Sequence, residues 1–322
     1  MDAIPGVHLV RTEEDLTPVG DRVGLSGVLA SLDRRARRTL APGLAVRRAL
    51  TWDAADRRDP HWWPQGITSS AEAGVLPGRR ILVVSWYSKG DHGARITFLD
   101  LDRRRYRHVL LVTPSLEPVH VHAGGLAWHG PYLHVAATGR GLHLCRLDDL
   151  ARVPGGVHGH EYVLPVRSSY RAQTASGVEK LRYSFCSLDT DGPDGPALVV
   201  GEYGNGSQTR RIARYPLDPA TSLLATDEAG ASYPVLLDDG AVVRTQGVAV
   251  VRGRHYLTRS HGPWMPGSVY AGPPGALRRH RWAAPMGPED LTWSPTDDLL
   301  WSVSEHPRRR WIFAMPRRYF DG

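Results

Sequence analysis

The chain has 322 residues, 41% of them hydrophobic, and its 34 glycines and 25 prolines are spread as turn punctuation with no Gly/Ser-rich or Pro-rich linker between domains. The net charge is +7, but only Lys89 and Lys180 among forty basic residues are lysines. The arginine runs at 34–35, 37–38, 103–105 and 308–310 lack the interleaved aromatics of a nucleic-acid module, so no nucleic-acid partner is expected.

The N-terminal segment, residues 1–12, has no basic-then-apolar leader, and no run of eighteen apolar residues exists to cross a membrane. A cytoplasmic monomer with no membrane partner is therefore expected. Residues 13–60 read as a capping segment. Within it Val28, Leu29, Leu32, Ala36 and Leu40 approach helical spacing, which predicts a helix over 26–40 with Ser26 as N-cap and Pro42-Gly43 as its stop.

From residue 61 to 316 the chain repeats. Five apolar strands open behind small, polar or acidic lead-ins, at Pro64-Gln65-Gly66-Ile67, Ala123-Gly124-Gly125-Leu126, Tyr183-Ser184-Phe185, Thr245-Gln246-Gly247-Val248 and Pro288-Glu289-Asp290-Leu291. Their first apolar residues lie 59, 59, 63 and 43 positions apart. A repeat of that length built from strands predicts an all-β fold, a single β-propeller. Five blades are counted, with a sixth open if 13–60 hides one.

The predicted strands are 66–69, 80–86, 94–101 and 107–112 in the first blade, and 125–129, 132–137, 141–147 and 161–165 in the second. The third takes 183–189, 197–203, 210–215 and 232–236, and the fourth 247–251, 254–259, 267–271 and 278–282. The last has only 291–294, 299–304 and 311–315 before a tail at 317–322. An open edge invites pairing with another chain, so the N-terminal strand over 7–11 is expected to complete that blade. Cys145 and Cys186 fall inside strands and read as small buried hydrophobes, with no metal spacing or disulfide framework.

In a propeller the loop before each inner strand and the loop after each second strand share one face. The lead-ins bring Gln65, His122, Arg182 or Tyr183, Gln246, and Glu289 with Asp290 to that face. The exits bring Trp86 with Tyr87, Thr138, Glu202 with Tyr203, Arg259 with His261, and Glu305 with His306. Carboxylates, imidazoles, amides and a guanidinium converging on one mouth are the inventory of a polar small-molecule site. His120-Val121-His122 would place two imidazoles on one strand face, able to grip a divalent metal, or would leave His122 holding backbone groups and His120 in solvent. Of Glu289 and Asp290, one carboxyl could be held at raised pKa for acid–base work, or one could cap neighbouring strands. Trp62, Trp63, Trp86, Tyr87 and Trp264 could line the mouth, while Trp128, Trp293 and Trp301 should pack between blades. No nucleophile elbow, P-loop or dinucleotide fingerprint is present, so no nucleotide or flavin cofactor is required.

The segments His122-Ala123-Gly124-Gly125-Leu126-Ala127-Trp128, Gln246-Gly247-Val248, Pro266-Gly267-Ser268-Val269-Tyr270, Gly287-Pro288-Glu289-Asp290-Leu291 and Ser304-Glu305-His306-Pro307 resemble uncharacterised, often secreted β-propeller proteins of actinobacteria. The resemblance covers about residues 60–316 and implies the fold without an activity; the arginine bias suits the same high-GC source. This chain departs from that group in having no signal peptide, which suggests recruitment to specialised metabolism. The expectation is an enzyme of non-redox chemistry (cyclisation, elimination, isomerisation or hydrolysis). In it His122, Glu289, Glu305 and His306 would move protons, and Gln65, Trp86, Tyr87, Glu202, Tyr203, Gln246, Arg259 and His261 would hold substrate. The alternative is a propeller binding a glycan, peptide or partner protein.

Overall fold

The computed structural model describes residues 4, 6–13, 16 and 20–322. Five sheets open on the strands Trp62–Ser69, Leu126–His129, Phe185–Asp189, Thr245–Val251 and Pro288–Ser294. These five strands touch one another in sequence order, and the last returns to the first, which makes a ring about a common axis. From each of these the first three strands of the sheet run outward as an antiparallel meander. The arrangement is that of a β-propeller. No described helix is long and apolar enough to cross a membrane.

A strand flanked on both faces by neighbouring sheets reads as nearly continuous burial rather than alternation. Pro288–Ser294 and Phe185–Asp189 are buried at every residue. The core accordingly lies in wedges between adjacent sheets. One wedge joins Trp86 and Leu99 to Trp301 and Ile312, and another joins Ala249 and Tyr256 to Leu300 and Phe313. Trp128, Trp293 and Trp301 are buried in such wedges, as their place inside strands led one to expect.

Small residues at the strand starts are required by crowding at the axis. A Cβ on Gly125 would stand 2.1 Å from the Cys186 nitrogen, and one on Gly247 2.4 Å from the Asp290 Cα. Backbone meets backbone at both places, and neither side chain nor solvent can give way.

Closure of the ring differs from expectation. The strand that pairs with Trp311–Pro316 is Arg48–Thr51, from the capping segment, with Phe313 opposite Ala49 and Ile312 opposite Leu50. The N-terminal strand Val7–Glu13 pairs instead with Ser168–Thr174 of the second sheet and with Ala231–Ser232. Val7 and Leu9 alternate with more exposed residues and bury against Tyr170, Leu142 and Leu188, a wedge between the second and third sheets. Arg48–Thr51 lies on the short path into the first sheet and can reach the last one without a long crossover. The outer strand of the second sheet is thus Ser168–Thr174. His160–Pro165 joins the first sheet instead, parallel to Arg105–Val112. In the third sheet the outer strand is Leu236–Asp239.

The predicted helix is shorter and earlier, Gly24–Ala30, with Val23 at its N-cap and no side-chain cap. Beyond Ala30, Arg34–Arg35 and Arg37–Arg38 are drawn into edge pairings with the first and last sheets. A second short helix, Ala54–Arg58, is capped by Asp53, whose carboxylate accepts from the Asp56 N–H at 2.9 Å. The buried Asp56 carboxylate receives Arg95 at 3.1 Å, the Tyr106 hydroxyl at 2.6 Å and His108 at 2.9 Å. That cluster fastens the capping segment to the first sheet. The tail forms a turn, Arg317–Phe320, with Phe320 buried.

Candidate functional site

At the face where the inner strands begin lies a cavity of about 520 Å³. Gln65, His122, Tyr203, Gln246, Glu289 and Glu305 line it, at least one from the strands or strand ends of every sheet, together with Thr138, Ser184 and Thr245. A volume of that size accommodates a small organic ligand.

The two glutamates define its chemistry. Gln65 donates from Nε2 to Glu305 Oε2 at 3.2 Å, and Gln246 donates from Nε2 to Glu289 Oε1 at 3.2 Å. Each carboxyl is therefore oriented by its own amide. Among the described residues neither is ion-paired to lysine or arginine; Glu305 has only the His306 imidazole at 3.6 Å. Burial pushes the Glu289 carboxyl well above the usual range, and the Glu305 and Asp290 charges push it further. Burial raises Glu305 as well, opposed by the Gln65 hydrogen bond and by the fields of Lys89 and Arg310. His122 is shifted down by burial and by Lys89, both of which favour the neutral imidazole.

Glu289 and Asp290, adjacent in sequence, have separate tasks. A register shift between Pro288 and Leu291 interrupts the ladder there. Glu289 faces the cavity, while the buried Asp290 carboxylate accepts the N–H groups of Ile67 at 3.2 Å and Leu126 at 3.1 Å. It holds the inner strands of the first two sheets to that of the last.

Other residues expected at the mouth stand elsewhere. Trp86 is wholly buried because Trp52 of the capping segment covers it, with ring centroids 4.8 Å apart, and it is core. Glu202 is buried in an ion pair with Arg211 at 2.9 Å and accepts the backbone N–H groups of Arg182 and Arg211, which makes it a brace for the third sheet. Arg259 reaches the Tyr270 hydroxyl at 3.2 Å and His261 the Ser268 hydroxyl at 2.9 Å, and neither lines the cavity. Tyr87 packs on His122 at 4.4 Å beside the cavity rim, and burial, with Glu305 and Glu289 nearby, raises its hydroxyl to about 12. His306 lies edge-on to Trp63 at 5.7 Å, its imidazole lowered to about 4 by burial and by Lys89, Arg309 and Arg310.

The strand geometry behind the paired-imidazole reading is not present. Residues 119–125 are irregular rather than strand, so the alternation that would have aligned His120 with His122 is missing. His120 sits largely exposed beside Asp91 at 3.5 Å. Among the described residues no group of three or more His, Cys, Asp or Glu is disposed to hold a metal ion.

Three contributors were not expected. Ser184 and Thr245 stand within the lead-ins, beside the bulkier polar residues Tyr183 and Gln246. Lys89 follows an exit loop as one of two lysines in an arginine-rich chain, a compositional signal in itself. Its ammonium lies 3.1 Å above the Trp63 ring.

No family model and no curated protein matches the chain. Solved structures similar to it include a gluconolactonase from Xanthomonas campestris, 16% identical, covering 96% of this chain and 89% of that one with a TM-score of 0.40. A GH43_1 enzyme from Xanthomonas citri is 15% identical over 80% of this chain and 88% of its own, with a TM-score of 0.41. A nidogen/laminin complex is 10% identical over 93% and 86%, again at 0.41. Two enzymes and a protein–protein complex stand side by side here, so the function must be argued from this chain's own residues.

Proposed function

We propose that the protein is an enzyme performing non-redox acid–base chemistry on a small polar molecule in the axial cavity. The observation that carries this reading is the pair Glu289 and Glu305, which line one cavity, each held by a glutamine amide and neither neutralised by lysine or arginine. Two carboxyls so placed share protons unequally. Glu289, whose pKa is raised further, keeps its proton and serves as general acid. Glu305 sits in the field of Lys89 and Arg310, gives its proton up first and serves as general base. His122, neutral and against Tyr87, is the second acceptor. Hydrolysis, elimination, isomerisation and cyclisation can all be run by such a pair, and none needs a redox cofactor.

The test is turnover across a panel of lactones, esters and aryl glycosides, with Glu289→Gln and Glu305→Gln. A bell-shaped pH profile is expected, with kcat lower by about 10²–10⁴ in each variant. The limb belonging to the replaced group should vanish. Full turnover in the double variant would end the assignment.

A binding propeller is the second reading, and Trp264 is its motive. Its side chain is 74% exposed beside Met265, with the Arg309 guanidinium 3.8 Å over the ring. On that reading Trp264→Ala weakens capture of a glycan or peptide, while the glutamate variants leave affinity unchanged.

A further inference from the structure

A second cavity, of about 620 Å³, lies at the other end of the strands, between the first and last sheets. Its position follows from register. Ser69 pairs with Leu82 and Ile81 with Asp100, which puts Arg80 and the turn after Asp100 at the opposite end of the first sheet from Gln65. Arg48 pairs with Ala314 at the corresponding end of the last sheet.

Five arginines line this cavity: Arg38, Arg47, Arg48, Arg80 and Arg104. Asp102 in the lining pairs with Arg80, and Asp297 at the edge holds Arg48 at 3.0 Å. Arg47 donates to the carbonyls of Leu44 and Val46, both at 3.1 Å. Five guanidiniums against two carboxylates leave three positive charges in excess. Among the described residues the guanidinium groups of Arg38 and Arg104 have no hydrogen-bonded or charged partner. The floor is apolar, built from Leu50, Leu101 and Trp301.

Arg104 adds a second, independent observation. Its backbone is left-handed, at φ 55°, a conformation that costs a residue with a Cβ roughly 1 kcal/mol and that glycine or asparagine ordinarily fills. The turn is nevertheless rigid. The Asp100 carboxylate accepts the N–H groups of Asp102 at 3.0 Å and Arg103 at 2.9 Å, and the Arg104 carbonyl accepts the Ala36 N–H at 2.9 Å. An arginine is thus held in an unfavourable backbone with its head group free, on a turn braced from both sides. Left-handed non-glycine residues recur at other turns of the chain, Arg252 and Asp298 among them, so what marks Arg104 is the free guanidinium that the braced turn holds at the groove.

We propose that this groove is a binding site for an organic anion carrying an oligophosphate group. Excess charge of three matches a di- or triphosphate, guanidinium forks match phosphoryl oxygens, and the apolar floor accepts the organic part. The groove faces away from the axial cavity, so the site stands or falls separately from the acid–base reading.

The experiment is calorimetric titration of the full chain with inorganic tripolyphosphate at low ionic strength, with citrate as a carboxylate of similar charge. Arg104→Gly removes the guanidinium at a position where glycine relieves the backbone, so folding should be retained or improved. Arg38→Ser removes the other free head group from an exposed strand edge. The expected result is saturable binding of tripolyphosphate, tighter than citrate, weakened about tenfold by each substitution. Arg171→Ser with Arg281→Ser, two exposed arginines elsewhere, should leave it within about twofold. No saturable binding, citrate binding as tightly, or equal loss in the control pair would overturn the proposal.

Discussion

Gly125 shows how little freedom the axis allows a single residue. A methyl there would meet the Cys186 nitrogen at 2.1 Å and the Phe185 Cα at 2.5 Å, both backbone atoms of the neighbouring inner strand. Gly125→Ala must therefore separate two sheets, and we expect it to cost about 3 kcal/mol in urea unfolding, the upper range for overpacking. Gly139→Ala, where nothing lies within 4 Å, should leave stability unchanged or slightly higher. Glu72 makes a different residue-scale case. Its buried carboxyl accepts the Thr292 hydroxyl at 2.6 Å and the Trp293 N–H at 3.1 Å, and burial raises it from 4.5 to about 7. A carboxyl raised on folding binds its proton more tightly in the folded state. Its contribution is kept below about 4.5 and lost as the pH climbs through about 7. Glu72→Gln keeps an accepting oxygen without the charge. Its Tm relative to the parent should rise between those pH values and level off above them. A difference that stays flat from pH 4 to 8 would show that Glu72 titrates normally.

At the scale of elements, the corrected closure makes separable predictions. Leu50 is buried on the strand that completes the last sheet, and Leu9 on the strand added to the second. Truncating a buried leucine costs roughly 2–5 kcal/mol. Leu50→Ala should accelerate amide exchange across Trp311–Pro316 and leave Ser168–Thr174 protected, and Leu9→Ala should do the reverse. Exchange of Trp311–Pro316 that followed Leu9 would restore the original expectation. The inner and second strands were legible because their apolar runs and small lead-ins answer to local crowding, visible in a single segment. Outer strands were not, because their partners are chosen by reach and by which wedge has room. The segments 7–11 and 48–51 are both short and part apolar, and nothing local distinguishes an edge on the second sheet from one on the last. The site divides along the same line. Gln65, His122, Gln246, Glu289 and Glu305 reach the cavity because strand position alone places them there. Trp86 and Glu202 occupy equivalent positions, yet Trp52 covers the first and Arg211 neutralises the second; Trp52 comes from the capping segment outside the repeat, and Arg211 from a predicted strand whose side-chain reach the repeat does not fix.

At the scale of the whole molecule, one carboxyl bridges three inner strands at the axis. Asp290 sits on the inner strand of the last sheet and accepts N–H groups from the inner strands of the first and second. Three of the five sheets are therefore joined through a single side chain, at the point where the first strand and the final one must meet. Asp290→Ala would leave the Ile67 and Leu126 N–H groups buried without an acceptor, at roughly 1–3 kcal/mol each. Asp290→Asn keeps an oxygen in place and should recover most of that loss. Because Glu289 precedes it on the same irregular stretch of strand, the Ala variant should also displace the cavity carboxyl and lower any turnover. The Asn variant should preserve turnover. Unfolding followed by tryptophan fluorescence and by circular dichroism measures the first effect, and both probes should report one shared transition in the parent chain. If Asp290→Ala proved as stable as the parent, the ring would be held by interdigitated wedges alone. The carboxylate would then have to be explained by the chemistry of the cavity above it.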